Sequence, residues 1–269
     1  MTADTAAPGD PAQRWLPRLS LRAVPVWRRN LRVWRKLMLP SVMGHFGEPV
    51  LYLLAFGYGL GALVGEVDGI PYIVFIASGI VCSSAMFTSS FEALYSAYTR
   101  METQQTWAAM LDAPMDVDDV VLGEAAWAGT KSLLSATAIL VVAAVLGLVG
   151  SWTAVLALPV ILLGGLAFAS TALIVTALSR SYDFFLYYFT LVMTPMLLLS
   201  GVFFPMEQLP GWVQFMALAL PLAHIVEVVR PLVIGLPLET IWPHLLVPLA
   251  YTAVTFTIAS RIFRQRLVR

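Results

Sequence analysis

The stretch that decides the fold is residues 132–179, which read SLLSATAILVVAAVLGLVGSWTAVLALPVILLGGLAFASTALIVTALS. These 48 residues contain no Asp, Glu, Lys or Arg. One crossing of a lipid bilayer needs about 20 mostly apolar residues, so this run is long enough for two crossings. Residues 147–152, GLVGSW, supply a break near its middle. We therefore predict two membrane-spanning helices joined by a tight turn.

The composition of the whole chain agrees with this interpretation. Of its 269 residues, 59% are hydrophobic and only 12% are charged, whereas soluble domains carry about 25% charged residues. The apolar content excludes intrinsic disorder, and a single cysteine, Cys82, excludes a disulfide scaffold. The net charge of +0 gives no electrostatic case for binding nucleic acid. We predict an all-α integral membrane protein.

Further apolar runs predict four more spans. Residues 184–206 and 240–260 contain no charged residue, and residues 37–63 and 70–98 contain few polar ones. The six predicted spans lie at about residues 38–62, 71–98, 120–147, 153–178, 184–204 and 241–262.

The distribution of Lys and Arg predicts the orientation. Fourteen of the 16 basic residues fall on one side of the predicted spans: Arg14, Arg18, Arg22, Arg28, Arg29, Arg32, Arg35, Lys36, Arg100, Arg180, Arg261, Arg264, Arg266 and Arg269. Cytoplasmic loops carry such an excess, so both termini are predicted to be cytoplasmic. Residues 1–20 are predicted to be a disordered cytoplasmic tail, and residues 21–269 a single transmembrane domain.

The basic segment before the first span has the pattern of an amphipathic helix lying in the membrane interface. Trp27, Leu31 and Trp34 share one face at helical spacing, and an adjacent face is basic, with Arg28, Arg32 and Arg35. Such a helix either only determines topology or also frames a docking site for a cytoplasmic partner.

The cytoplasmic loop between spans two and three predicts a second short helix. Residues 103–111 lack Gly and Pro, and Pro114 then ends any helix. With Trp107 and Met110 exposed, this helix suits insertion into the groove of a partner. The alternative is an amphipathic loop resting on the membrane. Asp116 and Asp119 predict a capping box for the following span.

The segment between spans five and six is apolar but interrupted by prolines at positions 205, 210, 221, 231 and 237. We predict two short helices, at about 208–219 and 222–234, that enter the membrane and return as a re-entrant hairpin within residues 205–234. Irregular backbone at membrane depth is tolerated where it is buried in protein or lines a cavity. The segment is therefore a candidate gate, with a hydrophobic external cap as the alternative.

Ionisable residues in apolar surroundings are candidate functional groups, because each costs about 2.5–3.5 kcal/mol at the centre of a membrane helix. Glu48, Glu92 and Glu124 are of this kind. His224, Glu227 and Arg230 share one helix face. These three could form a hydrogen-bond network, bind an anionic headgroup, or, through His224 and Glu227, contribute to a metal or catalytic site.

The sequence contains no P-loop for ATP phosphates, since neither of its two lysines, Lys36 and Lys131, follows a glycine. No catalytic, metal-binding or cofactor-binding residue is therefore predicted. Energy for transport would come from another chain or from an ion gradient.

The order of these elements resembles that of the permease subunits of ABC-2 type exporters, over about residues 27–263. The resemblance is sharpest at residues 199–205 (LSGVFFP), 209–210 (LP), 220–224 (LPLAH) and 230–232 (RPL). Residues 113–114 (AP), 121–124 (VLGE) and Trp127 are similar to the nodulation protein J group, the permeases of lipo-oligosaccharide exporters.

This resemblance implies a homodimer of permeases in a bacterial plasma membrane, with two ATP-binding cassette subunits that hold ATP and magnesium. It implies a coupling helix formed by Glu102, Thr103, Gln104, Thr106, Trp107, Met110 and Leu111, flanked by the amino-terminal helix. A pathway lined by spans one, two and five would open outward past Phe203 and Phe204. The candidate pathway and gate residues are Glu48, Glu92, Phe203, Phe204, His224, Glu227 and Arg230.

The implied cargo is amphipathic or lipid-linked, a lipo-oligosaccharide or another glycolipid, and membrane lipid surrounds the permease. A drug or antibiotic exporter is the nearest alternative. More distant alternatives are a proton-coupled secondary transporter that uses the carboxylates, and a membrane enzyme built on His224 and Glu227.

Overall fold

A computed structural model describes residues 14–36, 38, 47, 49–238 and 240–267. Within these ranges the regular structure is helical except for one two-stranded hairpin. The helices, in chain order, are α1 Ala23–Lys36, α2 Pro49–Val64, α3 Tyr72–Thr103, α4 Thr106–Leu111, α5 Val117–Val145, α6 Trp152–Leu178, α7 Asp183–Leu199, α8 Gly211–Ala217, α9 Pro221–Ile234 and α10 Trp242–Leu267. The strands are β1 Glu66–Val67 and β2 Ile70–Pro71.

Four of these helices, α3, α5, α6 and α10, are long and apolar enough to cross a membrane. Helices α2 and α7 are also apolar but shorter. Helices α8 and α9 meet at an angle of 90°, which suits either a broken span or a re-entrant loop. The predicted all-α, multi-pass membrane fold is confirmed. The count of six spans and the re-entrant hairpin stay predictions, and residues 39–46 and 48 of the first span lie outside the described ranges.

Helix α6 lies at the centre of the bundle and packs against α3, α5, α9 and α10. Small residues allow the closest approach, between α5 and α6. A Cβ atom at Gly165 would lie 1.9 Å from Ser132 Oγ, and one at Gly129 would lie 2.9 Å from Leu166 Cδ2. Close helix approach through small residues is the common packing device in membranes. In this chain Gly165 is used to pack α6 on α5.

One end of the bundle, here called the basic end, holds α1, α4 and the carboxy-terminal end of α10. Helix α5 begins there at the predicted capping box, which is confirmed: the backbone N–H of Asp116 donates to Asp119 Oδ2 at 3.0 Å.

Residues 14–20 are also anchored at the basic end. The backbone N–H of Arg18 donates to Asp118 Oδ2 at 2.8 Å, and Arg264 Nη2 donates to the Arg14 carbonyl at 2.8 Å. Two charged side chains thus bind the backbone of residues 14–18, and the disordered tail over residues 1–20 stays a prediction. Residues 1–13 lie outside the described ranges.

The opposite end of the bundle is built on turns that require glycine. The hairpin turn at Asp68 and Gly69 has φ of 50° and 74°, the left-handed geometry that an Asp-Gly pair adopts between strands. The turn after α7 lies so close to α3 that a Cβ atom at Gly79 would lie 2.4 Å from the Val202 carbonyl oxygen. This close approach fixes the position of residues 200–205 at the end of α3.

Candidate coupling site and transport pathway

The short helix α4 at the basic end is held by its tryptophan. Trp107 is 1% exposed, its ring packs against Phe263 at 4.9 Å between centroids, and its Nε1–H donates to Glu124 Oε1 at 3.2 Å. The prediction that Trp107 is exposed for insertion into a partner is wrong. The amphipathic pattern was correct, but its apolar side faces the bundle, because Glu124 and Phe263 offer the indole both a hydrogen-bond acceptor and an apolar surface.

Glu124 is a meeting point of four elements. It is 1% exposed, and Asn30 Nδ2 of α1 donates to its Oε2 at 3.1 Å. Arg100 of α3 donates from Nε to Oε1 at 3.0 Å and from Nη2 to Oε2. Together with the indole of Trp107, these bonds satisfy both carboxylate oxygens. A single buried carboxylate on α5 thus ties α1, α3 and α4 together.

A second buried carboxylate, Glu92, extends the same cluster. Its Oε1 lies 2.8 Å from Arg100 Nη2 and accepts from Trp127 Nε1 at 2.9 Å, and its Oε2 accepts from Lys131 Nζ at 2.8 Å. Both Glu92 and Arg100 lie in π-helical turns of α3, a wide geometry that often marks functional positions. Glu92, a predicted pathway residue, therefore lies in an ion cluster at the basic end. Full ion pairing of Glu92 and Glu124 gives no support to the proton-site alternative.

The remaining predicted coupling residues have mixed surroundings. Glu102 Oε1 pairs with Arg266 Nη2 at 2.7 Å, Thr103 lies within 3.4 Å of the Tyr182 hydroxyl, and Thr106 is bonded to Gln104. Met110 and Leu111 are half-buried. The exposed surface of this segment includes the predicted Glu102, Thr103 and Gln104, and also Gln105, Ala108, Ala109 and Asp112. The analysis of apolar residues missed Ala108 and Ala109, because alanine gives no signal of its own in an amphipathic pattern.

Helix α1 packs on α5 through the face that holds Ala23, Val26 and Asn30. The indole of Trp27 donates to Thr130 Oγ1 at 2.9 Å, and Trp34 packs edge-on against Trp127 at 6.0 Å. Both indoles therefore contact α5, and the position of α1 in the membrane interface stays a prediction.

The arginines of α1 differ in exposure. Arg28, Arg32 and Arg35 are exposed, and Leu31 is half-buried. Arg29 is partly buried. That burial lowers the pKa of Arg29, the nearby Arg100 lowers it further, and Glu124 opposes the shift.

A cavity of about 300 Å³ lies between α2, α3 and α7. Aromatic and aliphatic side chains dominate its wall, with hydroxyl groups from α3 among them: it is lined by Pro49, Tyr52, Ile80, Ser83, Ser84, Phe87, Thr88, Phe91, Leu197 and Phe203. Phe203 also contacts Phe56 edge-on at 5.7 Å. The cavity is mainly apolar with a few hydroxyl groups, which suits an amphipathic molecule. Phe204, which follows Phe203 in the sequence, is half-buried. Glu48 lies outside the described residues.

Arg230 is engaged in the fold. Its Nε donates to Ser78 Oγ at 3.2 Å, its Nη2 donates to the Gly201 carbonyl, and its guanidinium lies 3.8 Å from the centre of the Phe75 ring. No ion pair with Glu227 is present among the described residues. The suggestion that Arg230 meets an anionic headgroup is therefore corrected: it fastens α9 to α3 and to the turn after α7.

His224 has a partner that the sequence analysis missed. Its Nδ1 lies 3.1 Å from His244 Nδ1, and its Nε2 lies 2.9 Å from the Leu218 carbonyl oxygen. Glu227 is exposed at the rim of a neighbouring pocket. Within the described ranges, no three His, Cys, Asp or Glu residues are grouped to hold a metal ion. Both ring nitrogens of His224 are used to join α9 to the start of α10 and to the turn after α8.

Comparison of the sequence with known proteins identifies the family of the chain. The sequence profile of the ABC-2 type transporter family matches residues 23–234, from the start of α1 to the end of α9. The chain belongs to the ABC-2 type transporter family. It is 48% identical to nodulation protein J of Rhizobium meliloti (strain 1021) over 254 residues, which cover 94% of this chain and 97% of the relative. It is 47% identical to nodulation protein J of Rhizobium leguminosarum bv. viciae, over 94% and 98% of the two chains.

A more distant relative is the inner membrane transport permease YadH of Escherichia coli (strain K12). It is 26% identical over 217 residues, which cover 79% of this chain and 81% of that protein. Membership of the ABC-2 type transporter family makes this chain a multi-pass transmembrane subunit of an ATP-binding cassette transporter. It also implies an ATP-binding cassette partner subunit, to which the hydrolysis of ATP belongs.

Proposed function

We propose that two copies of this chain pair in a bacterial inner membrane, with both termini cytoplasmic, and export an amphipathic cargo. Two ATPase subunits that hold ATP and magnesium would bind at the basic end. The observation that carries the proposal is the identity of 48% over 94% of the chain with a nodulation protein J. The resemblance of this group to lipo-oligosaccharide permeases favours a lipo-oligosaccharide or another glycolipid as cargo.

The geometry of the basic end supports the coupling part of the proposal. Helix α4 exposes Ala108 and Ala109, its flanking residues Gln104, Gln105 and Asp112 are exposed as well, and Trp107 holds the other face of the helix to the bundle. A force applied to α4 would reach Glu124 through the indole, and from there α1 and α3 through Asn30 and Arg100. The cluster can therefore convert a motion of the ATPase into a rearrangement of the spans.

The cavity between α2, α3 and α7 supports the pathway part. The three helices correspond to the predicted spans one, two and five, and Phe203 lies at the cavity wall. Exposed apolar side chains on α2 and α7, among them Leu51, Tyr58, Leu186 and Leu191, provide a surface for lipid or for a second copy. Cargo would move along this side of the bundle.

The decisive experiment is ATP-dependent uptake into inside-out vesicles that contain the chain and its co-purified ATPase. Ser83→Trp should fill the cavity and abolish uptake of a lipo-oligosaccharide, whereas Val254→Trp, on the exposed face of α10, should leave it unchanged. Uptake of hydrophobic drugs but not of glycolipid would instead favour the drug-exporter alternative. Uptake that follows the proton gradient without ATP would contradict the proposal.

A further inference from the structure

A second cavity, of about 340 Å³, lies at the basic end between α1 and α3. Its wall is more polar than that of the cavity between α2, α3 and α7. It is lined by Arg29, Asn30, Val33, Trp34, Glu92, Tyr95, Ser96, Thr99, Arg100, Gln104, Trp127 and Lys131. Its wall therefore carries three cationic side chains and several hydrogen-bonding groups.

The charges around this cavity do not balance. Arg29, Arg100 and Lys131 face two carboxylates, Glu92 and Glu124, so one positive charge is left over among these side chains. Arg100 and Lys131 are ion-paired. Arg29 has no carboxylate within ion-pair distance among the described residues, and it bonds instead to the neutral Asn30 Oδ1 at 3.0 Å and Thr106 Oγ1 at 3.4 Å. The uncompensated charge therefore belongs to Arg29.

The position of the cavity indicates where its ligand would come from. Helix α1 forms one wall, and its outer face carries the exposed Arg28, Arg32 and Arg35. A basic amphipathic helix of this kind lies at the level of the lipid headgroups. Val33, 46% exposed, and Trp34 lie on the cavity wall beside Arg29, so an acyl chain could continue along an apolar surface while its headgroup enters the cavity.

We propose that this cavity binds the phosphate group of an anionic lipid headgroup, with Arg29 as its main ligand and Ser96 and Gln104 as hydrogen-bond donors. An anion there would neutralise the excess charge beside the cluster that joins α1, α3, α4 and α5. Bound lipid would thus hold α1 against α3. The site is separate from the cavity between α2, α3 and α7, and it does not depend on which cargo is exported.

The test uses the purified full-length chain in a neutral detergent, where no charged membrane surface contributes to binding. Short-chain phosphatidylglycerol is titrated and its binding followed by native mass spectrometry, with short-chain phosphatidylcholine and inorganic phosphate as separate probes. Arg29→Gln removes the charged hydrogen-bond donor, so it should weaken phosphatidylglycerol binding roughly tenfold or more. Arg28→Gln removes the same charge from the exposed face of α1 and should leave binding unchanged. Arg29→Lys should keep part of the affinity.

Several outcomes would overturn this site. Equal losses for Arg29→Gln and Arg28→Gln would mean that the basic surface as a whole attracts the lipid. Unchanged binding in Arg29→Gln would exclude Arg29 as a ligand. If inorganic phosphate binds as tightly as phosphatidylglycerol, the ligand is a free phosphate and the lipid source is excluded. If Arg29→Gln lowers the melting temperature, the comparison passes to Arg29→Lys and Arg28→Lys: weaker phosphatidylglycerol binding in Arg29→Lys alone supports the site, and equal binding by the two variants overturns it.

Discussion

At the scale of single residues, the main feature is a cluster of buried charged side chains at the basic end. Arg100 bridges the two buried carboxylates Glu92 and Glu124, and its side chain is only 12% exposed. Three neighbouring donors, from Asn30, Trp107 and Trp127, complete the hydrogen bonds of these carboxylates. Each charged group in this cluster has an ion-pair partner. Removal of one member would leave a buried charge without its partner, which is strongly destabilising.

Loss of Arg100 should therefore be costly. Arg100→Met leaves Glu124 without an ion-pair partner and Glu92 with Lys131 alone, and we expect a loss of about 3–5 kcal/mol of stability, the usual cost of breaking a buried ion pair. Arg180→Met makes the same change at an exposed position and is the control. Thermal unfolding of the purified variants in detergent measures both. Equal melting temperatures for the two variants would show that the cluster contributes nothing to stability.

The surroundings of single residues were the least predictable part of the molecule. Glu92 and Glu124 were recognised as unusual, yet their partners Asn30, Arg100 and Trp127 come from distant positions that no local pattern connects. Trp107 was placed on the correct helix with the wrong face outward. An amphipathic pattern gives the apolar side of a helix but does not say whether that side meets the protein itself or a partner.

At the scale of elements, α4 packs against the bundle through Trp107 and exposes Ala108 and Ala109. Ala109→Arg should leave the melting temperature unchanged, since the side chain is exposed. It should weaken binding of the ATPase subunit roughly tenfold or more, because an unpaired charge in an interface costs over about 1.4 kcal/mol. Ala109→Ser is the conservative control. Co-purification and transport assays measure the effect, and normal transport in Ala109→Arg would place the ATPase contact elsewhere.

The turn after α7 depends on one glycine of α3. Gly79→Ala would place a methyl group 2.4 Å from the Val202 carbonyl oxygen, so we expect a loss of about 1–3 kcal/mol as the turn shifts. Gly61→Ala is the matched control, since its nearest neighbour would be 3.9 Å away. The two melting temperatures decide the question. A stable Gly79→Ala chain would mean that the turn can move away from α3 without cost.

The limits of the helices were predicted better than the contacts between them. The limits of the long helices follow from apolar runs, glycine breaks and the capping box, all of which are local signals. The hairpin at residues 66–71 was missed although an Asp-Gly pair marks it, because the apolar runs on either side dominated the interpretation. The pairing of His224 with His244 has no such local signal, since it depends on how α9 and α10 pack.

At the scale of the whole molecule, the orientation of the bundle in the membrane can be tested with the chain's own cysteine. Cys82 is buried, and its replacement by Ala yields a chain without thiols for labelling. A new cysteine at Asp68, in the hairpin turn, should react with an impermeant maleimide from outside intact cells. A new cysteine at Ala108, in α4, should react only after the cells are opened. Labelling of both positions from the outside would contradict the proposed topology.

The contact between the two ends of the chain has a consequence for biosynthesis. Arg264 binds the carbonyl groups of Arg14 and Leu16 and also Asp118, so the first described residues are fastened by nearly the last. A nascent chain cannot make this contact until its final helix has left the ribosome. Residues 14–20 therefore lack this anchor while the preceding helices are synthesised and inserted. Closure of this contact requires that α10 has been made and has packed against α5, so it couples the amino-terminal segment to the last helix of the bundle.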